Sequence, residues 1–443
     1  MDVRARGTLR SEDGFALMEV IVSAAVLVIV VLGVLAATDA VTKTAGSNKA
    51  RTVAATLAEL DLERLRSLPT SELDKLDELE PLTREVQVEK VNYTIKSEAK
   101  WVTDSTGDEI SCAVAPNEGS YMRITSTVTS PITGKQVKPV VISSIVAPRP
   151  GKGTLTGMVK NAAGQPEPGV AVQAIGPSPA TKVTNSAGCA IFDESEAGSY
   201  KVKLNSTGWV DPDGNTAPEK GATLSAGNLT TVEFVYDRKS SFTVAVKTKR
   251  PGAGAEVADV STGVTAGHTG LTTKAKLLSA AAPGASSFLF DPMFPFPTPY
   301  QVYSGTCVGN DPTKYIPNFF AGRPSSVVQL TPGGPAVSAD VLEPALDVTA
   351  KSGSSNVSGA NVYAYPTTTG TGCSTARITL GPTGSNGKVT NPGLPFGTYD
   401  ICADYRVGSG SRTRVSWAGL TNSNLAGTAL TATFPSGTSS ACP

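Results

Sequence analysis

Residues 14–37 of this 443-residue chain read GFALMEVIVSAAVLVIVVLGVLAA, and this stretch decides how the rest of the sequence is interpreted. From Phe15 to Ala37 it is apolar except for Glu19 and Ser23. A helix over these residues would be about 34 Å long, enough to cross a hydrocarbon core of about 30 Å. A carboxylate in hydrocarbon is costly, so Glu19 is expected to have a function.

The flanking residues extend this segment into one long helix. Residues 1–13 carry Arg4, Arg6 and Arg10, which places them on the cytoplasmic side under the positive-inside rule. No proline occurs between Phe15 and Leu68, and the stretch VAATLAELDLERLRSL (53–68) keeps apolar residues near helical spacing. We therefore predict a single helix over 15–68 that ends before Pro69, with its transmembrane part at 15–37.

Two simpler interpretations fit this segment less well. A secretory signal peptide cut near residues 34–36 would have an apolar core of about 7–15 residues and a clean A-x-A site. The apolar run here is longer, and it contains a carboxylate. A plain single-pass anchor would leave Glu19 without a role.

The pattern Gly14-Phe15-x-Leu17-x-Glu19, after a short basic leader and before an apolar helix, resembles the N-terminal signature of type IV pilins and pseudopilins. The resemblance implies a leader of residues 1–14, cleavage by prepilin peptidase between Gly14 and Phe15, and N-methylation of Phe15. It also implies that Leu17 and Glu19 serve assembly, with Glu19 paired to the N-terminal amine of a neighbouring subunit. Such pairing makes a buried charge tolerable and fixes the register of apolar helices.

Composition favours strands over the remainder of the chain. Lys plus Arg and Asp plus Glu each number 38, so no net charge attracts nucleic acid, and no nucleic-acid partner is predicted. Gly (44) and Pro (31) are abundant, and Thr, Ser and Val dominate beyond residue 84. Residues 69–148 contain three strand-like stretches, at 84–102, 121–130 and 135–148. A long helix followed by an antiparallel meander resembles the head of minor pilins.

The rest of the chain looks repetitive. Three stretches align, GVAVQAI from Gly169, GAEVADV from Gly254 and GANVYAY from Gly359, and each precedes a segment built on a tyrosine. The three tyrosines, about 100 residues apart, predict successive β-sandwiches over 153–239, 240–344 and 345–443; they are Tyr200, Tyr300 and Tyr399. The first repeat resembles the carboxypeptidase regulatory-like domain, a transthyretin-like sandwich. The predicted fold is therefore mainly β, with one long N-terminal transmembrane helix, a pilin-like α+β head and tandem β-sandwiches.

Six cysteines follow the apolar segment, which favours disulfides in an exported region. No CxxC pair occurs and His268 is the only histidine, so no metal site is predicted. The favoured local pairings join Cys402 either to Cys373 or to Cys442. Cys189 could instead be a buried free thiol.

Candidate chemical motifs are weak. GPTGSNGKV (381–389) has Val389 after its lysine, where a phosphate-binding loop needs Ser or Thr, so Asn386-Gly387 is interpreted as a two-residue hairpin turn. DPDGNTAPE (211–219) departs from a calcium-loop pattern and is interpreted as a turn. His268 is expected to be a solvated loop residue rather than part of a catalytic triad. The aromatic segment FLFDPMFPFPTPY (288–300) is interpreted as core, with an exposed adhesion patch as the alternative.

These observations predict a minor or tip subunit of a type IV pilus or related filament, not an enzyme, with no cofactor. Its expected partners are prepilin peptidase, other pilin subunits through the N-terminal helix, the membrane and a surface ligand. It would be inserted in the cytoplasmic membrane with its C-terminal domains outside, and then reach the cell surface in the pilus. The alternatives are a pseudopilin of a secretion system and a membrane-anchored carbohydrate-binding or enzyme-accessory protein.

Overall fold

The computed structural model describes residues 15–69, 72–73, 76, 81–103, 110, 112, 120–130, 138–147, 149–252, 254–279, 284–370, 372–389, 393–406, 412–434 and 442. As predicted, the fold is mainly β, with one long apolar N-terminal helix followed by several β-sandwich-like sheets. The chain forms two compact units. The first comprises 1–110, 114–153 and 226–229, and the second 111–113, 154–225 and 230–443.

The first unit is a helix packed on an antiparallel meander. The helix α1 (Phe15–Ser67) ends just before Pro69, as predicted. Four strands follow in the spatial order of the sequence, β1 (Leu82–Val88), β2 (Val91–Thr103), β3 (Ser120–Thr129) and β4 (Val140–Val146). The strand-like stretch at 84–102 is thus two strands rather than one. The tight turn between them is made by Glu89 and Lys90, both with positive φ (49° and 68°), as a two-residue hairpin loop requires.

The second unit contains three sandwich-like repeats, each with two main sheets. In the first repeat, the strands are β5 (Lys152–Lys160), β6 (Ala171–Ile175), β7 (Ala180–Val183), β8 (Cys189–Glu196), β9 (Gly198–Leu204), β10 (Trp209–Val210), β11 (Glu219–Leu224), β12 (Leu229–Val235) and β13 (Asp237–Arg238). Its main sheets have the orders β12-β5-β8 and β11-β9-β6-β7.

The second repeat adds short helical turns. Its strands are β14 (Ser240–Lys249), β15 (Val257–Ala258), β16 (Gly263–Gly267), β17 (Ala275–Ser279), β18 (Ser287–Met293), β19 (Tyr300–Ser304), β20 (Val327–Val328) and β21 (Val337–Pro344). The sheets are β15-β14-β18, with β21 on β14, and β17-β16-β19-β20. Between β19 and β20 lie the short helix α2 (Phe319–Gly322) and three 3₁₀ turns, at Val308–Asn310, Pro312–Lys314 and Pro324–Ser326.

The third repeat completes the unit. Its strands are β22 (Leu346–Ser352), β23 (Ser355–Asn356), β24 (Asn361–Pro366), β25 (Ile378–Pro382), β26 (Gly397–Arg406), β27 (Arg412–Asn422) and β28 (Thr428–Thr433). The sheets are β23-β22-β28 and β25-β24-β26-β27. In all three repeats the last long strand pairs with the first, β12 with β5, β21 with β14 and β28 with β22.

The three repeated tyrosines occupy equivalent places. Tyr200, Tyr300 and Tyr399 are each at most 2% exposed and lie on β9, β19 and β26. Each hydroxyl donates to a backbone carbonyl just upstream, of Glu196 at 2.8 Å, of Phe294 at 2.7 Å and of Pro395 at 3.0 Å. A buried phenol needs such a partner, and each of the three has one.

A comparison of the strands that pair with the three tyrosine strands corrects one alignment made from the sequence. The tyrosine strands of the first and third repeats pair with β6 and β24, which contain the predicted GVAVQAI and GANVYAY motifs. In the second repeat, the strand of Tyr300 pairs with β16, which reads GVTAG. The stretch from Gly254 is therefore not the equivalent one. It contributes only β15, whose two residues are exposed, whereas β16 is buried at four of its five positions.

The aromatic segment 288–300 forms core, as predicted. Its four phenylalanines are between 1% and 7% exposed and pack with β14 and β19 residues in one cluster. They are Phe288, Phe290, Phe294 and Phe296.

The disulfides agree with the sequence predictions only in part. Cys402 pairs with Cys442, as one of the two favoured options had it. The other option is wrong, because Cys373 pairs with Cys307 of the second repeat. The free thiol at Cys189 is also wrong, since this residue pairs with Cys112. Both errors arise because the true partner is distant in sequence, by 66 and 77 residues.

Candidate functional site: the N-terminal helix

The first half of α1 has no protein surface around it among the described residues. Every residue from Met18 to Gly46 is exposed, and apolar side chains point to all sides. The helix is long and apolar enough to cross a membrane. A helix that is apolar all round is stable only when lipid or other helices cover it.

Glu19 lies about one turn after Phe15, where α1 begins. It is itself exposed, and it is the only charged residue between Phe15 and Thr38. The helix begins at Phe15, but the side chains of Phe15 and Leu17, like the whole of Gly14, lie outside what the structure describes. Cleavage after Gly14, methylation of Phe15 and the assembly role of Leu17 and Glu19 therefore stay predictions.

The second half of α1 is fixed to the sheet by a stripe of small residues. Ala50, Ala54 and Ala58 recur every four positions, and Leu62 and Leu65 continue the stripe; all five are at most 4% exposed. The helix packs on β2, β3 and β4. Alanine allows the helix backbone to approach the sheet closely, with side chains such as Tyr93, Ile95 and Val128 filling the interface.

A buried carboxylate reinforces this contact. Asp61 is 0% exposed and accepts hydrogen bonds from Ser97 Oγ of β2 at 2.8 Å, from Arg64 Nε at 3.0 Å and from Arg84 Nη2 of β1 at 2.9 Å. Burial alone would raise the pKa of Asp61, but the hydrogen bonds from Ser97 and Arg64 outweigh it and hold the pKa below its usual value.

Sequence reasoning did not single out Asp61. It is one of five charged residues in 53–68. One signal was available, because Asp61 falls on the same stripe as the Ala54, Ala58 and Leu65 positions, where a solvated charge is unexpected.

His268 corrects another expectation. The residue is only 9% exposed, and its ring stacks on Phe296 with centroids 3.8 Å apart. Its Nε2 lies 2.8 Å from Thr298 Oγ1, and its Nδ1 accepts from the Gly270 amide at 2.9 Å. The prediction of a solvated loop histidine is wrong because the aromatic segment folds over this loop. Burial lowers the pKa of His268.

The two turn interpretations are confirmed, one with a change of type. At 381–389, the Gly384 amide donates to the Lys388 carbonyl, so the hairpin loop has three residues, 385–387, rather than two. Its last residue, Gly387, has the left-handed conformation, with φ 71°. At 211–219, Asp211 Oδ1 accepts from the Asp213 and Asn215 amides. Asp213 Oδ1 in turn accepts from the Thr272 amide at 2.8 Å, so the loop's carboxylates serve internal hydrogen bonds.

No protein-family model and no curated protein matches this chain. Matching solved structures include the Bacillus anthracis TIE protein, at 12% identity, with 80% of this chain and 75% of that one covered and a TM-score of 0.22. The full-length major pilin SpaD of Corynebacterium diphtheriae matches at 13% identity over 64% of this chain and 97% of its own, with a TM-score of 0.19. BcpA, the major pilin subunit of Bacillus cereus, matches at 11% over 64% and 99%, with a TM-score of 0.17. Likenesses at these TM-scores say nothing about what this chain does.

Proposed function

We propose that this protein is a minor or tip subunit of a type IV pilus or a related filament. Prepilin peptidase cuts it between Gly14 and Phe15, the new N-terminus is methylated, and the subunit assembles through α1. The observation that carries the proposal is the division of this helix. Its second half is packed on the sheet, whereas the stretch from Met18 to Ala37, with Glu19 as its only charge, is exposed and apolar on all sides.

This division supports assembly rather than simple anchoring. Before assembly, lipid covers the apolar half, and the cost of Glu19 in hydrocarbon is a few kcal/mol. In a filament, neighbouring helices take the place of the lipid. The amine at Phe15 of an adjacent subunit then neutralises Glu19, which removes that cost and sets the register of the contact.

The sandwiches support a display role rather than a catalytic one. They add about 290 residues beyond the head, which would crowd a helical array in which every subunit carried them, so a scarce or terminal position suits the chain better. We propose that these domains contact other proteins or a surface ligand outside the cell and that the protein is not an enzyme.

Mass spectrometry of the mature N-terminus tests this function. We expect a chain that starts at Phe15 and carries one added methyl group. The matched control is Gly14→Ala, which should remain uncut because the peptidase recognises the residue before the cleaved bond. A mature chain that starts at Met1 or near residue 37 in the wild type would contradict the proposal.

A further inference from the structure

A pair of buried carboxylates lies at the end of the second repeat. Glu343, on β21, is 1% exposed, and neither of its carboxylate oxygens accepts a hydrogen bond of good geometry from the described residues. Asp259, just after β15, is 6% exposed; its Oδ1 accepts from the Val260 amide at 2.9 Å, and the Gly393 amide and the charge of Arg250 also favour its charged form, but its Oδ2 accepts no hydrogen bond of good geometry from the described residues. Leaving buried charged oxygens without partners is strongly unfavourable.

The two carboxylates converge on one point. A Cβ atom placed on Gly393 would overlap Asp259 Oδ2 and would lie 3.0 Å from Glu343 Oε2. Both oxygens therefore face the same backbone position. A calcium ion binds oxygens at about 2.3–2.6 Å, so two of its ligand oxygens can be up to about 5 Å apart. The separation of Asp259 Oδ2 and Glu343 Oε2 is within that limit, because both lie close to the same point.

Two hydroxyl groups complete the surroundings. Ser304 is 1% exposed, and its hydroxyl has no hydrogen-bond partner of good geometry among the described residues. Ser261 is 3% exposed; its hydroxyl donates to the Gly263 carbonyl at 2.9 Å and accepts from the Gly263 amide at 3.4 Å, which leaves one lone pair of its oxygen. Both hydroxyls lie beside Glu343 and favour its charged form. The cluster thus offers only oxygen donors, the kind that hard divalent cations prefer.

A cavity lies next to the cluster, and none of Glu343, Asp259 and Ser304 lines it. It has a volume of about 450 Å³ and lies between the second and third repeats. Its lining includes Thr262 and Gly305, the neighbours of Ser261 and Ser304, and also Tyr399, whose pKa the charge of Glu343 helps to raise. The cavity is large enough to admit an ion together with several water molecules.

We propose that Glu343, Asp259 and Ser304 bind one calcium ion where the second and third repeats meet. This departs from the sequence expectation of no metal, which considered only zinc ligands and the 211–219 loop. Calcium suits the cluster better than magnesium, because it accepts irregular geometry and more protein oxygens, whereas magnesium requires near-ideal octahedral geometry. The bound ion would neutralise the two carboxylates and stabilise the packing of the second repeat against Gly393 of the third.

Without a cation, the pair has one other way to reduce its charge. Burial raises the pKa of Glu343 to about 8, and the neighbouring Asp259 charge adds to the effect. A proton held between the two carboxyls would then take the place of the ion. A bound calcium ion and a shared proton predict different responses to added calcium and to the substitution Glu343→Gln.

The test is calcium binding by the full chain in detergent, after treatment with EDTA, measured by calorimetry and by thermal unfolding. The wild type should bind one calcium ion per chain saturably, and its unfolding temperature should rise with calcium concentration. Glu343→Gln should weaken binding at least about tenfold, because loss of even an outer-shell partner costs 10–100-fold. The matched control is Asp213→Asn, in the acidic 211–219 loop, which should bind as the wild type does.

Three outcomes would overturn the proposal. They are a wild type without saturable binding, a Glu343→Gln variant that binds as tightly as the wild type, and loss of binding in Asp213→Asn alone. A wild type that ignores calcium while Glu343→Gln is more stable would identify the shared proton. If Glu343→Gln does not fold, Ser304→Ala replaces it, with a measurable loss of affinity expected and an unchanged affinity counting against the site.

Discussion

The carboxylate of Asp61 on α1 accepts a hydrogen bond from the hydroxyl of Ser97 on β2 at 2.8 Å, and both side chains are 0% exposed. The bond lies in the part of the helix that packs on the sheet, more than 40 residues from Glu19. Two of the carboxylates of this helix are therefore in different situations. Asp61 has its partners within the first unit, while Glu19 is exposed and, under the proposed function, finds its partner in another subunit.

Replacing Glu19 by glutamine should block filament incorporation while leaving membrane insertion intact. Removing one partner of a buried ion pair costs about 3–5 kcal/mol, which corresponds to a loss of at least about 100-fold in association. The measurement is the ratio of protein in sheared filaments to protein in the membrane fraction. Glu59→Gln, at an exposed position of the same helix, serves as the control and should assemble normally. Normal incorporation of Glu19→Gln would remove the role proposed for this residue.

Replacing Asp61 by asparagine should loosen the helix from the sheet. Asparagine keeps the size but loses the charge that accepts from Arg64 and Arg84, and hydrogen bonds to charged groups contribute about 1.5–3 kcal/mol. Hydrogen exchange of the β2 amides in the full chain should accelerate accordingly. Glu63→Gln, whose partner Arg66 is 47% exposed, should change exchange very little. Equal effects of the two variants would contradict the importance of the buried site.

The contribution of Asp61 should also depend on pH. Because its pKa in the folded chain lies below the usual 3.8, the unfolded chain takes up this proton first as the pH falls. The stability that Asp61 provides is therefore fully present above pH 3.8 and is lost as the pH falls through the folded pKa. The difference in denaturant midpoint between the wild type and Asp61→Asn should be constant from pH 5 to 7 and shrink below 3.8. A difference that grows on acidification would have the wrong sign.

Enlarging Ala58 should disturb the same interface by steric means. Ala58 is 0% exposed, and Ala58→Leu inserts three carbon atoms where the helix lies against the sheet, so we expect a loss of about 1–3 kcal/mol in unfolding free energy. Leu60→Ala is the control, since Leu60 is 61% exposed and surface changes usually stay within about 0.5 kcal/mol. Denaturant unfolding monitored by far-UV circular dichroism provides the comparison. A tolerated leucine at 58 would show that the helix does not approach the sheet so closely.

The single histidine offers a clean spectroscopic test. Because burial lowers the pKa of His268, its NMR titration midpoint should lie below the ordinary 6.5. The unfolded chain then binds the proton more readily, so stability should decrease as the pH falls below 6.5. Phe296→Ala removes the stacked ring and should move the midpoint back toward 6.5. A wild-type midpoint at or above 6.5 would mean that the ring is solvated after all.

Local pattern predicted much of this fold. The absence of proline between Phe15 and Leu68 and the apolar run at 15–37 fixed the length of α1, because both are properties of consecutive residues. The spacing of Tyr200, Tyr300 and Tyr399 likewise revealed three repeats, since each repeat needs the same buried phenol and the same upstream carbonyl.

What the sequence could not reveal depends on contacts between distant residues. Cys307 and Cys373 belong to different repeats, and no spacing rule joins them. Asp259 and Glu343 are 84 positions apart and meet only because β14 lies beside both β15 and β21. His268 appeared to be in a solvated polar loop because the ring that covers it, Phe296, comes from the connection between β18 and β19.

Under the proposed function, the pairing of first and last strands has a mechanical consequence. In the second repeat, β14 and β21 run parallel in continuous register from Phe242↔Val337 to Lys249↔Pro344. The chain enters this pair at one end and leaves it at the other. Tension along the polypeptide therefore acts parallel to these two strands, so it loads all the hydrogen bonds between them at once instead of breaking them one at a time. The same holds for β22 and β28, so a pull along the chain would meet its greatest resistance inside the second and third sandwiches.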